Sequence, residues 1–257
     1  MTRFYLKTPH SGAAVQQPLH VEQSIWHTSH CRGVHYAVFA PLHYEPNYAY
    51  PLVIWLHGSG NDERQLLRVM PWISMRNYVS IGPRGPQHMS EPGLGYQWSV
   101  CDAEVASAEQ SVTECLEIAK EKFHVASDRV FLAGYQSGGT MAFRIGLKHP
   151  RRFAGLLSLG GPFPMENAPL ARLEESRTLP LFIAQGRSST LYPVEKTCDE
   201  LRLFHAAGMH VTLRQYPCGD ELSGRMLHDM NVWMMEQVTG VVTSDIQDIT
   251  SYPNDEN

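Results

Sequence analysis

The sequence predicts an α/β fold in which a mostly parallel β-sheet is covered by helices on both faces. Two observations carry this prediction. Short, almost continuously apolar segments of strand length recur along the chain, as expected of strands that are buried on both faces. Segments in which apolar residues recur at helical spacing separate them, and such alternation of strands and helices is typical of a parallel sheet.

The strand and helix segments follow one another in a regular order. The predicted strands are residues 34–40, 51–58, 78–85, 129–135, 153–161, 179–186 and 211–217. The predicted helices are residues 102–123, 138–150, 194–208 and 224–238. The first helix has one apolar face opposite a charged face. Pro150 ends the second helix, and Gly208 closes the third at a C-cap position.

Length and composition limit the class of protein. A chain of 257 residues with 43% hydrophobic and 18% charged residues fits one soluble α/β domain. The net charge of −5 is spread along the chain without a basic cluster, which argues against a nucleic-acid partner. No segment has the length and apolarity of a signal peptide or a transmembrane helix, so a cytoplasmic location is expected.

Composition also divides the chain into three parts. Residues 1–32 are predicted as an N-terminal extension, residues 33–239 as the α/β domain, and residues 240–257 as a polar, acidic tail. Ligands of such sheets lie beyond the carboxyl ends of the strands. Four motifs occupy these positions: "HGSG" (57–60), "GYQSGG" (134–139), "GRSSTLYP" (186–193) and "YPCGD" (216–220).

Taken in order, these motifs resemble the phospholipase/carboxylesterase family of the α/β-hydrolase fold, which includes acyl-protein thioesterase-like enzymes. The resemblance covers roughly residues 33–239 and includes the flanking stretches "IGPRGP", "YQWS" and "SDRVFLAG". It implies the α/β-hydrolase fold. For an active member it implies a carboxylic ester or thioester substrate, with no metal or organic cofactor.

The family's Ser-Asp-His triad is altered at each of its three positions. Counting from Gly134 to Gly138, the apex of the strand-to-helix turn is Gln136 in place of the nucleophilic serine. Ser189 stands at the aspartate position and Asp220 at the histidine position. A carboxamide is not a useful nucleophile, and a serine cannot stabilise an imidazolium by charge.

The oxyanion hole is expected to remain, because backbone donors need no particular side chain. The resemblance assigns these donors to the N–H groups of Ser59 and Ser137. His57, Gly58 and Arg187 are predicted as further cleft residues. Arg187 and Asp220 are expected either to interact at the cleft, as an ion pair or a ligand site, or to be a solvated surface pair.

Three functions remain open at this point. The first and favoured one is a pseudoenzyme whose cleft binds an unidentified small-molecule or protein ligand. The second is an ester or thioester hydrolase that uses Ser137 as nucleophile with a rearranged base. The third is different chemistry with Asp220 as base or nucleophile. His228, eight residues beyond Asp220, is a candidate for a relocated base, but its place in the last helix predicts a surface or packing role instead.

Overall fold

The structure, a computed structural model, describes residues 26–89, 95–99, 101–166 and 168–241. Residues 1–25 of the predicted extension and residues 242–257 of the predicted tail lie outside the described residues. Ten strands and six helices make up the described part. None of these helices is long and apolar enough to cross a membrane.

The strands alternate with helices along most of the chain. In chain order the strands are β1 (Trp26–Cys31), β2 (Val34–Phe39), β3 (Tyr50–Leu56), β4 (Val79–Pro83), β5 (Gln87–His88), β6 (Tyr96–Gln97), β7 (Val125–Tyr135), β8 (Gly155–Leu159), β9 (Leu181–Gly186) and β10 (Val211–Tyr216). The helices are α1 (Gln65–Ile73), α2 (Asp102–Lys122), α3 (Ser137–Lys148), α4 (Leu173–Ser176), α5 (Val194–Ala207) and α6 (Gly224–Thr239). A short 3₁₀ turn, Pro150–Arg152, follows α3.

Eight strands form one sheet in the order β1-β2-β4-β3-β7-β8-β9-β10. β1 pairs with β2 and β2 with β4 in antiparallel fashion, and every later neighbour pair is parallel. β5 and β6 form a separate antiparallel pair. Because β3, β7, β9 and β10 run in the same direction, the loops that follow them lie at the same edge of the sheet.

The sheet has a hydrophobic core on each face. One core includes Leu116 of α2, Phe143 of α3 and Phe204 of α5. The other includes Met70 of α1 and Trp233 of α6. Strands such as β3, β8 and β9 are buried along their whole length, which accounts for their continuous apolar sequence.

The predicted α/β architecture is confirmed, and each predicted strand and helix is present with small shifts at its ends. Gly208 closes α5 in the left-handed conformation, at φ 67°, as predicted. Five elements were not predicted: the two-residue strands β5 and β6, the four-residue helix α4, helix α1 and strand β1. Helix α1 contains Pro71, which reads as a helix breaker. Strand β1 is mostly exposed, and its sequence lacks the apolar run that would have predicted a strand. The sheet therefore begins at Trp26, before the predicted domain boundary at residue 33.

Candidate functional site

The turn between β7 and α3 has the geometry of a sharp elbow. Gln136 lies at its apex with φ 49° and ψ −118°, a conformation that side-chain-bearing residues rarely adopt. A Cβ atom on Gly134 would lie 2.3 Å from the carbonyl group of Gly138, and a Cβ on Gly138 would lie 2.2 Å from the Leu56 carbonyl oxygen. Glycine is therefore required two residues before and two residues after Gln136.

The Gln136 side chain is tied to the loop that follows β10. Its Nε2 donates to the Tyr135 hydroxyl at 3.1 Å and to the backbone carbonyl of Asp220 at 3.2 Å. The Tyr135 hydroxyl also donates to this carbonyl. Burial, aided by the nearby Asp220 charge, raises the pKa of Tyr135 to about 12. The phenol therefore stays protonated, and the carboxamide is held as a hydrogen-bond donor.

The Asp220 carboxylate holds the loop that follows β9. Its Oδ1 accepts from the Ser189 hydroxyl at 2.5 Å and from the Leu191 backbone N–H at 3.1 Å. Its Oδ2 accepts from the Thr190 hydroxyl at 2.7 Å and from the Thr190 N–H at 3.3 Å. The Ser189 and Thr190 hydroxyls are the main cause that lowers the pKa of Asp220 to about 2. Asp220 is therefore an ionised acceptor whose two oxygens are both engaged.

Gln136, Ser189 and Asp220 thus lie in one hydrogen-bonded group at the carboxyl edge of the sheet. Gln136 reaches the backbone of Asp220, and Ser189 reaches its carboxylate. The parallel pairing of β9 with β10 places their two following loops side by side. These are the three positions to which the family resemblance assigns the nucleophile, the acid and the base.

Two serines face each other beside the elbow. The Ser59 hydroxyl donates to the Ser137 hydroxyl at 2.9 Å. The backbone N–H groups of both residues form no hydrogen bond within the described part of the chain. Ser137 is the first residue of α3, where a helix leaves its N–H groups without internal acceptors. The two N–H groups are available to a ligand oxygen.

His57 has a different place from the one predicted. It is buried, its Nε2 accepts from the Gly85 N–H at 2.8 Å, and its Nδ1 lies 2.8 Å from the Gly58 carbonyl. This pattern fixes a neutral ring with the proton on Nδ1. Burial lowers the pKa of His57. The buried ring stabilises the 57–60 loop through these two contacts. Neither His57 nor Gly58 lines the cleft that lies over the elbow.

The remaining predicted residues lie at the surface. Arg187 is exposed, and no ion pair joins it to Asp220 among the residues that the structure describes. The Asp220 carboxylate instead takes hydroxyl and backbone donors from its neighbouring loop. His228 is exposed on α6, in line with the surface role expected of it.

A cleft of about 260 Å³ lies over the elbow. It is lined by Ser59, Trp98, Ser99, Gln136, Ser137, Thr140, Met141, Arg144, Gly160, Pro162 and Leu191. The sequence predicts three of these residues, Ser59, Gln136 and Ser137, and it does not identify the other loop residues or the further residues on α3. The missed residues 140, 141 and 144 share one face of a helix that starts at the elbow, and this spacing was the signal that would have identified them.

Solved structures of similar shape include a carboxylesterase. A carboxylesterase from Mesorhizobium loti superimposes with a TM-score of 0.67 at 17% sequence identity, covering 82% of this chain and 99% of that one. SOBER1 of Arabidopsis thaliana superimposes with a TM-score of 0.63 at 18% identity, covering 74% of this chain and 100% of that one. At these identities the likeness shows the fold, which is that of the α/β-hydrolases.

Curated relatives share part of the sequence. The putative esterase NocK of Nocardia uniformis subsp. tsuyamanensis is 26% identical over 155 residues, 56% of this chain. The bifunctional acetylxylan esterase/xylanase XynS20E of Neocallimastix patriciarum is 23% identical over 193 residues, 72% of this chain. The matched regions span 42% and 26% of the length of these two relatives.

The family itself is identified by its sequence model. The model of the phospholipase/carboxylesterase family matches residues 45–236, a span that includes the elbow, the 57–60 loop and the loops after β9 and β10. This span is well over half of the 257 residues. The chain therefore belongs to the phospholipase/carboxylesterase family of α/β-hydrolases.

Proposed function

We propose that this family member does not hydrolyse esters and that its cleft binds a small molecule. The observation that carries the proposal is Gln136 at the apex of the elbow, flanked by Gly134 and Gly138 at the spacing that surrounds a nucleophilic serine. A carboxamide has no hydroxyl to attack a carbonyl carbon, so no acyl-enzyme forms at this position. The cleft of about 260 Å³ beside it supports the binding role.

The partners of Gln136 support the same conclusion. Ser189, at the position proposed for the acid, carries no charge that would stabilise an imidazolium. Asp220, at the position proposed for the histidine, has a pKa of about 2 and two engaged oxygens. A carboxylate of such low basicity is a poor proton acceptor at neutral pH. The arrangement gives no support to Asp220 as a base or nucleophile.

Ser137 as nucleophile is also disfavoured. Its hydroxyl bonds to Ser59, and no imidazole is hydrogen-bonded to it among the described residues. The buried His57 ring is engaged with Gly58 and Gly85. The backbone N–H of Ser137 has the better-supported role, since it and that of Ser59 are free to donate to a ligand carbonyl or carboxylate.

The proposal is tested by steady-state hydrolysis of p-nitrophenyl acetate, butyrate and octanoate and of a thioester substrate. We expect rates for the wild-type chain equal to those of the Gln136→Ala variant. Turnover that is lost in Ser137→Ala would establish Ser137 as a nucleophile and overturn the proposal. Turnover that is lost in Asp220→Asn, with fold retained, would establish chemistry at Asp220 instead.

A further inference from the structure

Arg144 is a buried cation that the proposed function does not yet use. It lies on α3, and its side chain is only 5% exposed. Eight residues separate it from Gln136, which corresponds to about 12 Å along the helix. Arg144 lines the cleft over the elbow and also a neighbouring cavity of about 320 Å³. It therefore stands at the wall between two cavities.

The hydrogen bonds of Arg144 are incomplete. Its Nη2 donates to Glu166 Oε2 at 2.8 Å. Its Nε is shielded from solvent and has no partner among the described residues. Nε and Nη2 form the edge of a guanidinium that binds the two oxygens of a carboxylate. Half of this edge is used by Glu166, and half is unused.

Glu166 is a weak partner for a buried charge. Its side chain is 71% exposed, and ion pairs with an exposed member contribute little. A guanidinium carries its charge permanently, and burying it is costly without full pairing. An apolar residue would pack at this position without that cost. The structure therefore contains a cation that a ligand would satisfy better than the protein does.

The cleft around Arg144 indicates the kind of ligand. Among the described residues that line the cleft, Arg144 is the one that carries a charge. A ligand with one negative charge would therefore be neutralised there. Met141, Pro162 and Leu191 offer apolar surface, and hydroxyl and N–H donors lie at the elbow end. A planar group with one charge and two oxygens matches the guanidinium edge. A phosphate dianion would leave one charge uncompensated.

From these observations we infer that the cleft binds a carboxylic acid with an apolar body. Its carboxylate draws the Arg144 guanidinium away from Glu166, which lines the neighbouring cavity, and pairs with it on the cleft side. This inference rests on the proposed binding function and adds the class of ligand. Its test uses acids and amides without an ester bond, so its result does not depend on whether the chain hydrolyses esters.

The test is a calorimetric titration of the full chain with hexanoate and, separately, with hexanamide. We expect hexanoate to bind on the order of tenfold more tightly than hexanamide, as one charge-assisted bidentate contact requires. Arg144→Met should abolish this preference, and Arg144→Lys should weaken it because lysine lacks the planar fork. Arg202→Met is the matched control, since Arg202 is exposed and pairs with Asp199 on the same helix.

Glu166→Gln provides a second variant, at an exposed position, that keeps an acceptor oxygen for Arg144 and removes only the charge. Because it removes the competing carboxylate, hexanoate should bind several-fold more tightly to this variant. Equal affinity for hexanoate and hexanamide in the wild-type chain, or no binding of hexanoate at millimolar concentration, would overturn the inference. So would a preference for hexyl phosphate over hexanoate, or a hexanoate preference that survives in Arg144→Met. An unchanged or lower affinity in Glu166→Gln would contradict this exchange of partners by Arg144.

Discussion

The Ser189 hydroxyl donates to the Asp220 carboxylate at 2.5 Å, across the loops that follow two neighbouring parallel strands. Under the proposed assignment, these residues occupy the positions of an acid and a base in an active relative. In this chain their interaction has the opposite polarity, because the hydroxyl donates and the carboxylate accepts. The contact organises the loop at residues 189–191.

Asp220→Asn should destabilise the chain at neutral pH. The carboxylate accepts four hydrogen bonds, and an amide cannot accept all of them, so a loss of about 1–3 kcal/mol in the free energy of unfolding is expected. Urea unfolding at pH 7 measures it. Asp199→Asn is the matched control, because Asp199 is an exposed residue paired with Arg202, and its effect should stay within about 0.5 kcal/mol.

The same variant should change how stability depends on pH. The pKa of Asp220 lies at about 2 in the folded chain, below its ordinary value of 3.8. The unfolded chain therefore binds a proton first on acidification, so this contribution is complete above about pH 4 and is lost as the pH falls to about 2. Asp220→Asn should flatten the stability profile over that interval. An unchanged profile would contradict the bonding described for Asp220.

His57 should make a second, separate contribution to the pH profile. Burial lowers its pKa from the ordinary value of 6.5, so the unfolded state binds the proton first and the free energy of unfolding should fall as the pH drops below about 6.5. His57→Gln should remove this slope, and the exposed His228→Gln should keep it. Thermal unfolding between pH 5 and pH 8 measures both. A slope that persists in His57→Gln would show that another group titrates.

Gly138→Ala should be destabilising although it places alanine in a helix. The added Cβ would lie 2.2 Å from the Leu56 carbonyl oxygen, and overpacking of this kind costs about 1–3 kcal/mol. Gly224→Ala, at the start of α6, is the control, since its Cβ would meet only the Trp72 ring at 3.4 Å. Chemical unfolding of the two variants compares them. Equal stability of Gly138→Ala and Gly224→Ala would contradict the close approach of Gly138 to the Leu56 carbonyl group.

The triple variant Gln136→Ser, Ser189→Asp, Asp220→His should gain esterase activity. The contact between positions 189 and 220 would then join a carboxylate to an imidazole. A positioned acid–base group of this kind contributes on the order of 10²-fold or more. Hydrolysis of p-nitrophenyl butyrate measures it, with the double variant that retains Gln136 as the inactive control. A folded but inactive triple variant would mean that these loops do not hold the proposed triad geometry.

Most of the fold was accessible from the sequence because buried parallel strands have a simple pattern. Strands β3, β8 and β9 are apolar along their length, and the helices between them have one apolar face. The exposed strand β1 and the proline-containing helix α1 were not predicted because neither has such a simple pattern. Their stability depends on neighbours in the sheet and core, which local sequence does not reveal.

The site was predicted where backbone geometry constrains residue type, as around Gln136, and where the motifs match the resembled family, as at Ser189 and Asp220. The glycines around Gln136 marked the elbow, because no side chain fits there. The buried position of the His57 ring could not be predicted from the sequence, because it depends on the Gly85 N–H of a distant loop. Arg144 was not identified either, because a charged residue in a helix is ordinarily read as exposed and its burial depends on tertiary packing.

The central claim, that the elbow carries no nucleophile, is tested most directly by a fluorophosphonate probe with intact-protein and peptide mass spectrometry. We expect no adduct on the folded wild-type chain, whereas the triple variant Gln136→Ser, Ser189→Asp, Asp220→His should be labelled at position 136. An adduct on Ser137 of the wild-type chain, abolished in Ser137→Ala, would contradict it.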